Sequence, residues 1–281
     1  GAALFSVRKL IKIFPGGPGG NEALRVLDEI SLDIYEGPCL VIAGSNGSGK
    51  TVLMKILAAL MEADGGEVLY RGLPLGTAPW AARGGGPLGG PRLPRTLGLV
   101  FQDADAQLIG ETVAEDAAFG PRNLGFSREE STERALAALT ALGLAGRENQ
   151  SPRRLSGGEK RRLAVAGVIA MGCRTIIMDE PFANLDWPGV RQTLELIKSL
   201  KASGNTLIIL THELEKVLAY ADRLVILHRG KLREDGPPGE VLGRLREEYG
   251  VRNPLQSYTR VADCTWLGEG PRRAEPGKPW V

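Results

Sequence analysis

At 281 residues the chain is long enough for one large domain or two unequal ones, with a sizeable buried core. Hydrophobic residues make up 43% and charged residues 24%, as in ordinary globular proteins, and 35 Lys plus Arg against 33 Asp plus Glu leave +2, so the total shows no bias toward polyanions. The longest nearly unbroken apolar run, Leu163 to Cys173, is far shorter than the roughly 18 residues of a membrane-spanning helix; the three isolated cysteines (Cys39, Cys173, Cys264) argue against zinc, and with no secretion signal at the Gly-Ala-Ala start a reducing, cytosolic setting is expected.

In chain order, Leu4 to Phe14 alternates loosely and then meets the breaker Pro15 to Gly20. Ile30 to Tyr35 reads as a second strand, antiparallel to the first. Leu40 to Ala43 is a continuous apolar run, as in a strand buried on both faces of a parallel sheet. A glycine-rich turn follows, then an apolar-periodic helix to about Met61, and Gly65 to Tyr70 is a further strand. Residues 76 to 95 hold a Gly/Pro insert, densest at 84 to 91, which cannot offset its ordering entropy by burial and predicts a mobile surface loop. Leu97 to Phe101 returns to buried strand, and Glu111 to Gln150 turns helical, with Ser127 and Glu130 spaced as a capping box.

A helix from Ser156 to about Met171, a strand Thr175 to Met178, a helix through Val190 to Leu200 stopping at Gly204, a strand Thr206 to Thr211 and a helix Glu213 to Ala221 follow. Leu224 to His228 and Lys231 to Glu234 flank Arg229-Gly230 as a hairpin. The alternation predicts a parallel α/β sheet with helices on both faces. The helical block from about 103 to 160 interrupts it and reads as a subdomain. The pattern weakens after about 240, and 268 to 281 reads as a frayed tail.

Three segments carry chemistry. Gly44-Ser45-Asn46-Gly47-Ser48-Gly49-Lys50-Thr51 matches GxxxxGK[ST] in full, between a strand and a helix. Its backbone N–H groups can surround phosphate oxygens, Lys50 can reach the terminal phosphates, and the Thr51 hydroxyl can ligate Mg²⁺. Thr175 to Pro181 places two carboxylates at the end of a buried strand, where uncompensated negative charge calls for a cation. Asp179 is then the Mg²⁺-side acid and Glu180 the candidate general base. Leu155-Ser156-Gly157-Gly158-Glu159 opens a second helix with free N–H groups, a second anion site with no phosphate of its own. That surplus makes sense when two subunits pair head to tail. Gln102 is an amide placed to touch metal and attacking water. His212, after the strand Thr206 to Thr211, is placed to hydrogen-bond the γ-phosphate as a neutral imidazole. His228 reads as structural.

Taken together, GSNGSGKT, Gln102, LSGGE, IIMDEP, Ala183-Asn184-Leu185-Asp186 and His212 resemble the nucleotide-binding subunit of ABC transporters over about residues 4 to 240. The resemblance implies a P-loop α/β fold with an antiparallel β subdomain and an α-helical subdomain, ending near 240 before a C-terminal extension. It also implies ATP and Mg²⁺, a head-to-tail ATP sandwich with Ser156, Gly157 and Gly158 acting in trans, Asp186 at the dimer contact, and Phe14 stacked on adenine. The segments Phe101 to Leu108, Thr112 to Asp116, Phe119 to Gly125 and Lys160 to Gly167 resemble more narrowly the ATPases of energy-coupling factor (ECF) transporters, which energise cobalt, nickel and vitamin uptake. That likeness makes Gln107 a second functional glutamine and puts the region after Gln102 against a membrane protein. The implied partners are a second ATPase subunit, identical or related, and integral membrane subunits at the cytoplasmic face of the cell membrane, with no nucleic acid. The alternative, a soluble ABC ATPase acting on nucleic acid or ribosomes, is weakened by the single cassette and near-neutral charge.

Overall fold

The computed structural model describes residues 3–15, 23–75 and 97–255. The Gly/Pro insert at 84 to 91, expected as a mobile loop, and the tail from 268 lie outside the described residues. In chain order the elements are β1 (Ala3–Phe14), β2 (Leu24–Tyr35), β3 (Cys39–Ala43), α1 (Lys50–Leu57), β4 (Gly65–Tyr70), β5 (Leu73–Pro74) and β6 (Leu97–Val100). Then come α2 (Val113–Asn123), α3 (Arg128–Ala141), α4 (Gly157–Ala170), β7 (Thr175–Asp179), α5 (Trp187–Ala202) and β8 (Thr206–Thr211). The described chain closes with α6 (Leu214–Val217), β9 (Arg223–His228), β10 (Lys231–Gly236) and α7 (Pro238–Arg244).

Two sheets form. The first is antiparallel, in the order β2-β1-β4-β5, and the second runs β10-β9-β3-β8-β7-β6, parallel throughout except for the β9–β10 hairpin. The continuous apolar runs of β3, β7 and β8 are buried along their whole length. Their side chains divide by the period of two: Val41, Met178, Ile209 and Ile226 join the helical side, while Ile42, Ile177, Ile208 and Val225 face α1 and the antiparallel sheet. Helices thus cover both faces as expected, but on one face α1 shares the cover with the β subdomain. The α/β architecture and its antiparallel and helical parts are those the sequence implies.

Several boundaries differ, each for a visible reason. β2 begins six residues earlier than the alternation suggests, because Glu29 sits at φ +55° and the register slips there, breaking the period of two. α1 stops at Leu57 rather than near Met61; Ala59 turns left-handed (φ +53°) and the Leu60 and Met61 N–H groups both reach the Lys55 carbonyl. Only Val113–Asn123 and Arg128–Ala141 are helical between 111 and 150. Ser127 caps its helix through the Glu130 N–H, but the Glu130 carboxylate pairs with Arg134 instead of completing the box. The helix expected over Glu213 to Ala221 is one α-turn followed by a 3₁₀ turn at Leu218–Tyr220. At the chain's far end α7 crosses residue 240, and Val241, Leu242, Tyr249 and Val251 are buried in the helical-side core.

Candidate nucleotide site

Register places the candidate residues. Ala43 pairs with Thr211, Leu210 with Asp179, and Met178 with Val100, so the carboxyl ends of β3, β8, β7 and β6 finish level at one sheet edge. The phosphate loop, His212, Glu180 and Gln102 therefore leave the sheet side by side, as ligand-binding loops of open parallel sheets do.

The loop from Gly44 to Gly49 is fixed by close packing. A Cβ on Gly44 would lie 2.3 Å from the Leu227 carbonyl oxygen and 2.5 Å from Ser48 Oγ. Gly47 and Gly49 take φ of +79° and +103°, which turns successive N–H groups inward. Asn46 and Gly47 are exposed and Ser45 is half-buried, while Ser48, Gly49 and Lys50 are buried. The Ser48 carbonyl accepts from Gly230 N at 3.1 Å, so the β9–β10 turn braces the loop. Lys50 Nζ donates to the Gly44 carbonyl (2.7 Å) and the Ser45 carbonyl (3.2 Å) and lies 3.5 Å from Glu180 Oε1.

Two carboxylates share this buried corner with the Lys50 ammonium. Lys50, Asp179 and Glu180 are 5%, 5% and 6% exposed. Burial pushes the Asp179 carboxyl above its ordinary range, only partly offset by the hydrogen bond from Thr51, and the Glu180 charge adds to the rise. The Thr51 hydroxyl donates to Asp179 Oδ2 at 2.9 Å, while Asp179 Oδ1 and Ser48 Oγ are buried with no hydrogen-bond partner among the described residues. A hydroxyl and a carboxylate oxygen with residual negative charge suit Mg²⁺, which takes one or two protein oxygens and completes its shell with phosphate and water. No cluster of three His, Cys, Asp or Glu among the described residues offers an all-protein metal cage.

Glu180 holds a left-handed backbone conformation (φ +45°), costly for a residue with a Cβ. Its Oε2 lies 3.0 Å from His212 Nδ1 and accepts from the His212 backbone N–H at 3.3 Å.

The second anion site forms apart from the first. Ser156 Oγ accepts from Glu159 N (3.3 Å) and Glu159 Oε2 from Ser156 N (2.8 Å), a complete capping box. Ser156, Gly157 and Gly158 line a hollow of about 380 Å³ with Asn184, Leu185 and Asp186; none of residues 44 to 51 lines it. Asp186 is exposed and caps α5 through Gly189 N at 2.9 Å. Gln102 is exposed just after β6. Gln107, by contrast, spends its amide on β6, accepting from Phe101 N (3.1 Å) and donating to the Leu99 carbonyl (2.9 Å). Phe14 is half-buried at the end of β1, paired with Leu24 and with Lys12 Nζ 5.7 Å from its ring centre.

Two groups escape sequence reasoning. Arg161 on α4 donates to the Pro181 and Gln102 carbonyls, and Arg162 donates to Gln192 Oε1 at 2.7 Å. In the sequence the run Lys160 to Gly167 enters only through its resemblance to the ECF ATPases, and nothing local points to partners up to 59 residues away.

Comparison with known proteins gives the family. The ABC transporter family model matches residues 27–183. The energy-coupling factor transporter ATP-binding protein EcfA2 of Symbiobacterium thermophilum is 39% identical over 247 residues, 88% of this chain and 83% of that protein. The cobalt import ATP-binding protein CbiO of Rhodobacter capsulatus is 36% identical over 280 residues, covering 97% and 93%. The solved structure of cbiO1 from Clostridium perfringens, described as part of the ABC transporter complex cbiONQ, superposes with a TM-score of 0.72 at 28% identity, covering 88% of this chain and 93% of that one. With the phosphate loop, the paired carboxylates and the LSGGE helix start all in place, the chain belongs to the ABC transporter family and is an ATP-binding ATPase.

Proposed function

We propose that this ATPase drives an ECF-type uptake system for a metal ion or a vitamin, as a peripheral subunit on the cytoplasmic face of the cell membrane. The observation that carries the catalytic half is the Glu180 carboxylate, held between Lys50 and His212 at the edge where the phosphate loop opens. Lys50 binds the terminal phosphates of ATP. Thr51 and Asp179 would hold Mg²⁺, which when bound neutralises charge developing on the phosphates, and Gln102 would touch metal and water. Glu180 takes the proton of the attacking water through Oε1, and His212 keeps that carboxylate turned inward. Phe14 supplies the stacking face for adenine.

Ser156, Gly157 and Gly158 line a separate hollow, so in this reading they serve the nucleotide of a second ATPase subunit, identical or related, with Asp186 at the contact between them. The transport half is supported by relatives named as ECF transporter and cobalt import ATP-binding proteins. No helix among the described residues is long and apolar enough to cross a membrane, so the pathway for solute belongs to integral membrane partners. Mass spectrometry of the complex extracted in detergent tests this. A polytopic membrane protein together with one or two ATPase chains is expected; bound RNA or DNA and no membrane protein would overturn it.

A further inference from the structure

We infer that Arg161 is a positioning residue for ATP hydrolysis, tying the LSGGE helix to the backbone on either side of the chemistry at Gln102 and Pro181. The inference rests on Glu180 being the general base. Arg161 is 3% exposed, and among the described residues no carboxylate pairs with it. A buried guanidinium without a counter-charge is costly, and burial lowers its hold on its proton. Its charge is met instead by two carbonyl oxygens: Nη1 donates to the Pro181 carbonyl, and Nη2 to the Gln102 carbonyl at 3.1 Å. Nε is left buried without a partner.

Those two carbonyls are placed to matter. Pro181 follows Glu180, whose left-handed conformation has to be held by its neighbours. The Glu180 N–H bonds the Leu210 carbonyl at 2.8 Å, His212 holds the side chain, and Arg161 holds the next peptide. Along α4, successive residues point about 100° apart. Lys160 reaches Asp105 at 2.6 Å, Arg161 turns inward, and Arg162 reaches Gln192 on α5 at 2.7 Å. A shift of α4 therefore moves the Gln102 loop and the Glu180 turn together. The planar fork of arginine serves two acceptors in different directions, which an ammonium on a flexible stem does not reproduce.

The test uses the full chain in its assembled complex, with Arg161→Met, Arg161→Lys, Glu180→Gln and the double variant Arg161→Met/Glu180→Gln. Steady-state hydrolysis is normalised to the number of ATP-binding sites, so that misfolded protein is not counted. Misplacing a catalytic group by about 1 Å can cost on the order of a hundredfold in rate, so Arg161→Met is expected to lower kcat per site at least about tenfold while KM for ATP changes less than about threefold. Arg161→Lys should recover part of the loss, and the double variant should lose less than the product of the two single losses, since part of the Arg161 effect passes through the Glu180 carboxylate. Parental kcat per site in Arg161→Met, or fully additive losses in the double variant, would overturn the inference. If Arg161→Met binds no nucleotide, Arg161→Lys decides, and parental turnover there overturns it as well. Glu180→Gln turning over at the parental rate would instead sink the assignment of the base, whatever the Arg161 variants do.

Discussion

Glu180 and His212 share one oxygen: the imidazole Nδ1 at 3.0 Å and the His212 backbone N–H at 3.3 Å both meet Glu180 Oε2. Oε1 is thereby left for the reaction side, with Lys50 Nζ 3.5 Å away. An amide in place of the carboxylate keeps the shape but cannot take a proton from water. Glu180→Gln is expected to bind ATP about as well as the parent and to hydrolyse it roughly 10²–10⁴-fold more slowly. Equilibrium ATP binding beside single-turnover hydrolysis checks this, and gel filtration with ATP should show a dimer accumulating. Hydrolysis at the parental rate would remove Glu180 from the chemistry.

Much of this corner is legible in the sequence because its signals are local. GSNGSGKT carries its own turn chemistry, the MDE ending follows a strand buried on both faces, and Ser156 and Glu159 make a capping box within four residues. What sequence does not announce is set by partners far along the chain. The helix after Glu213 ends early because Lys201 Nζ takes the Tyr220 carbonyl at 2.9 Å and Asp222 N bonds the Cys39 carbonyl at 2.9 Å, turning the chain into β9. No glycine or proline marks that turn, nor the one at Ala59. Arg161 is hidden for the same reason: its acceptors are backbone carbonyls, which every residue has.

The glycines of the two anion sites should separate under substitution. At Gly49 (φ +103°) a Cβ would meet the Val26 carbonyl oxygen at 2.9 Å and Leu27 Cδ2 at 2.7 Å, so Gly49→Ala strains backbone against backbone. A loss of about 1–3 kcal/mol is expected, together with ATP binding. At Gly158 the nearest atom is Gln192 Oε1 at 2.6 Å, the tip of a side chain that can swing away. Gly158→Ala should melt within about 2 °C of the parent and yet lose turnover, because the methyl covers the helix start and breaks the Gln192–Arg162 bond. Thermal melts paired with hydrolysis assays decide it; equal destabilisation at both sites contradicts the packing.

The buried thiols give a pH dependence with a definite sign. Burial pushes Cys39 from its ordinary 9.0 to about 11 and Cys173 to about 12. The folded state holds these protons more tightly than the unfolded state, so the stabilisation is full below pH 9 and is lost as pH rises toward the folded values. Each thiol removes about 1.4 kcal/mol per pH unit over that window. Urea unfolding at pH 8, 9 and 10 should show the decline, and Cys39→Ala should make it shallower. At pH 8 the Cys39 and Cys173 peptides should resist iodoacetamide in the native protein and react once it is unfolded; rapid native labelling of either would place that thiol at the surface.

The segment after residue 240 belongs to the stability of the ATP site. Val241, Leu242, Tyr249 and Val251 are buried in the core on the helical side, and the Tyr249 ring lies 6.0 Å from that of His228 at the end of β9. Gly250 (φ +67°) sits so close to the phosphate loop that a Cβ there would be 3.1 Å from Ser45 Cβ. A chain ending at 255 keeps all of these; one ending at 240 loses four buried side chains, each contributing about 1.5–3 kcal/mol at most. For a protein of this size 1 kcal/mol shifts Tm by about 2–4 °C, so the shorter chain should melt about 10 °C lower. Its ATP affinity should fall as well, because Ser45 loses the turn that packs against it. Equal melting temperatures and equal ATP affinities for the 1–240 and 1–255 chains would show that residues 241–255 contribute neither to the core nor to the phosphate loop.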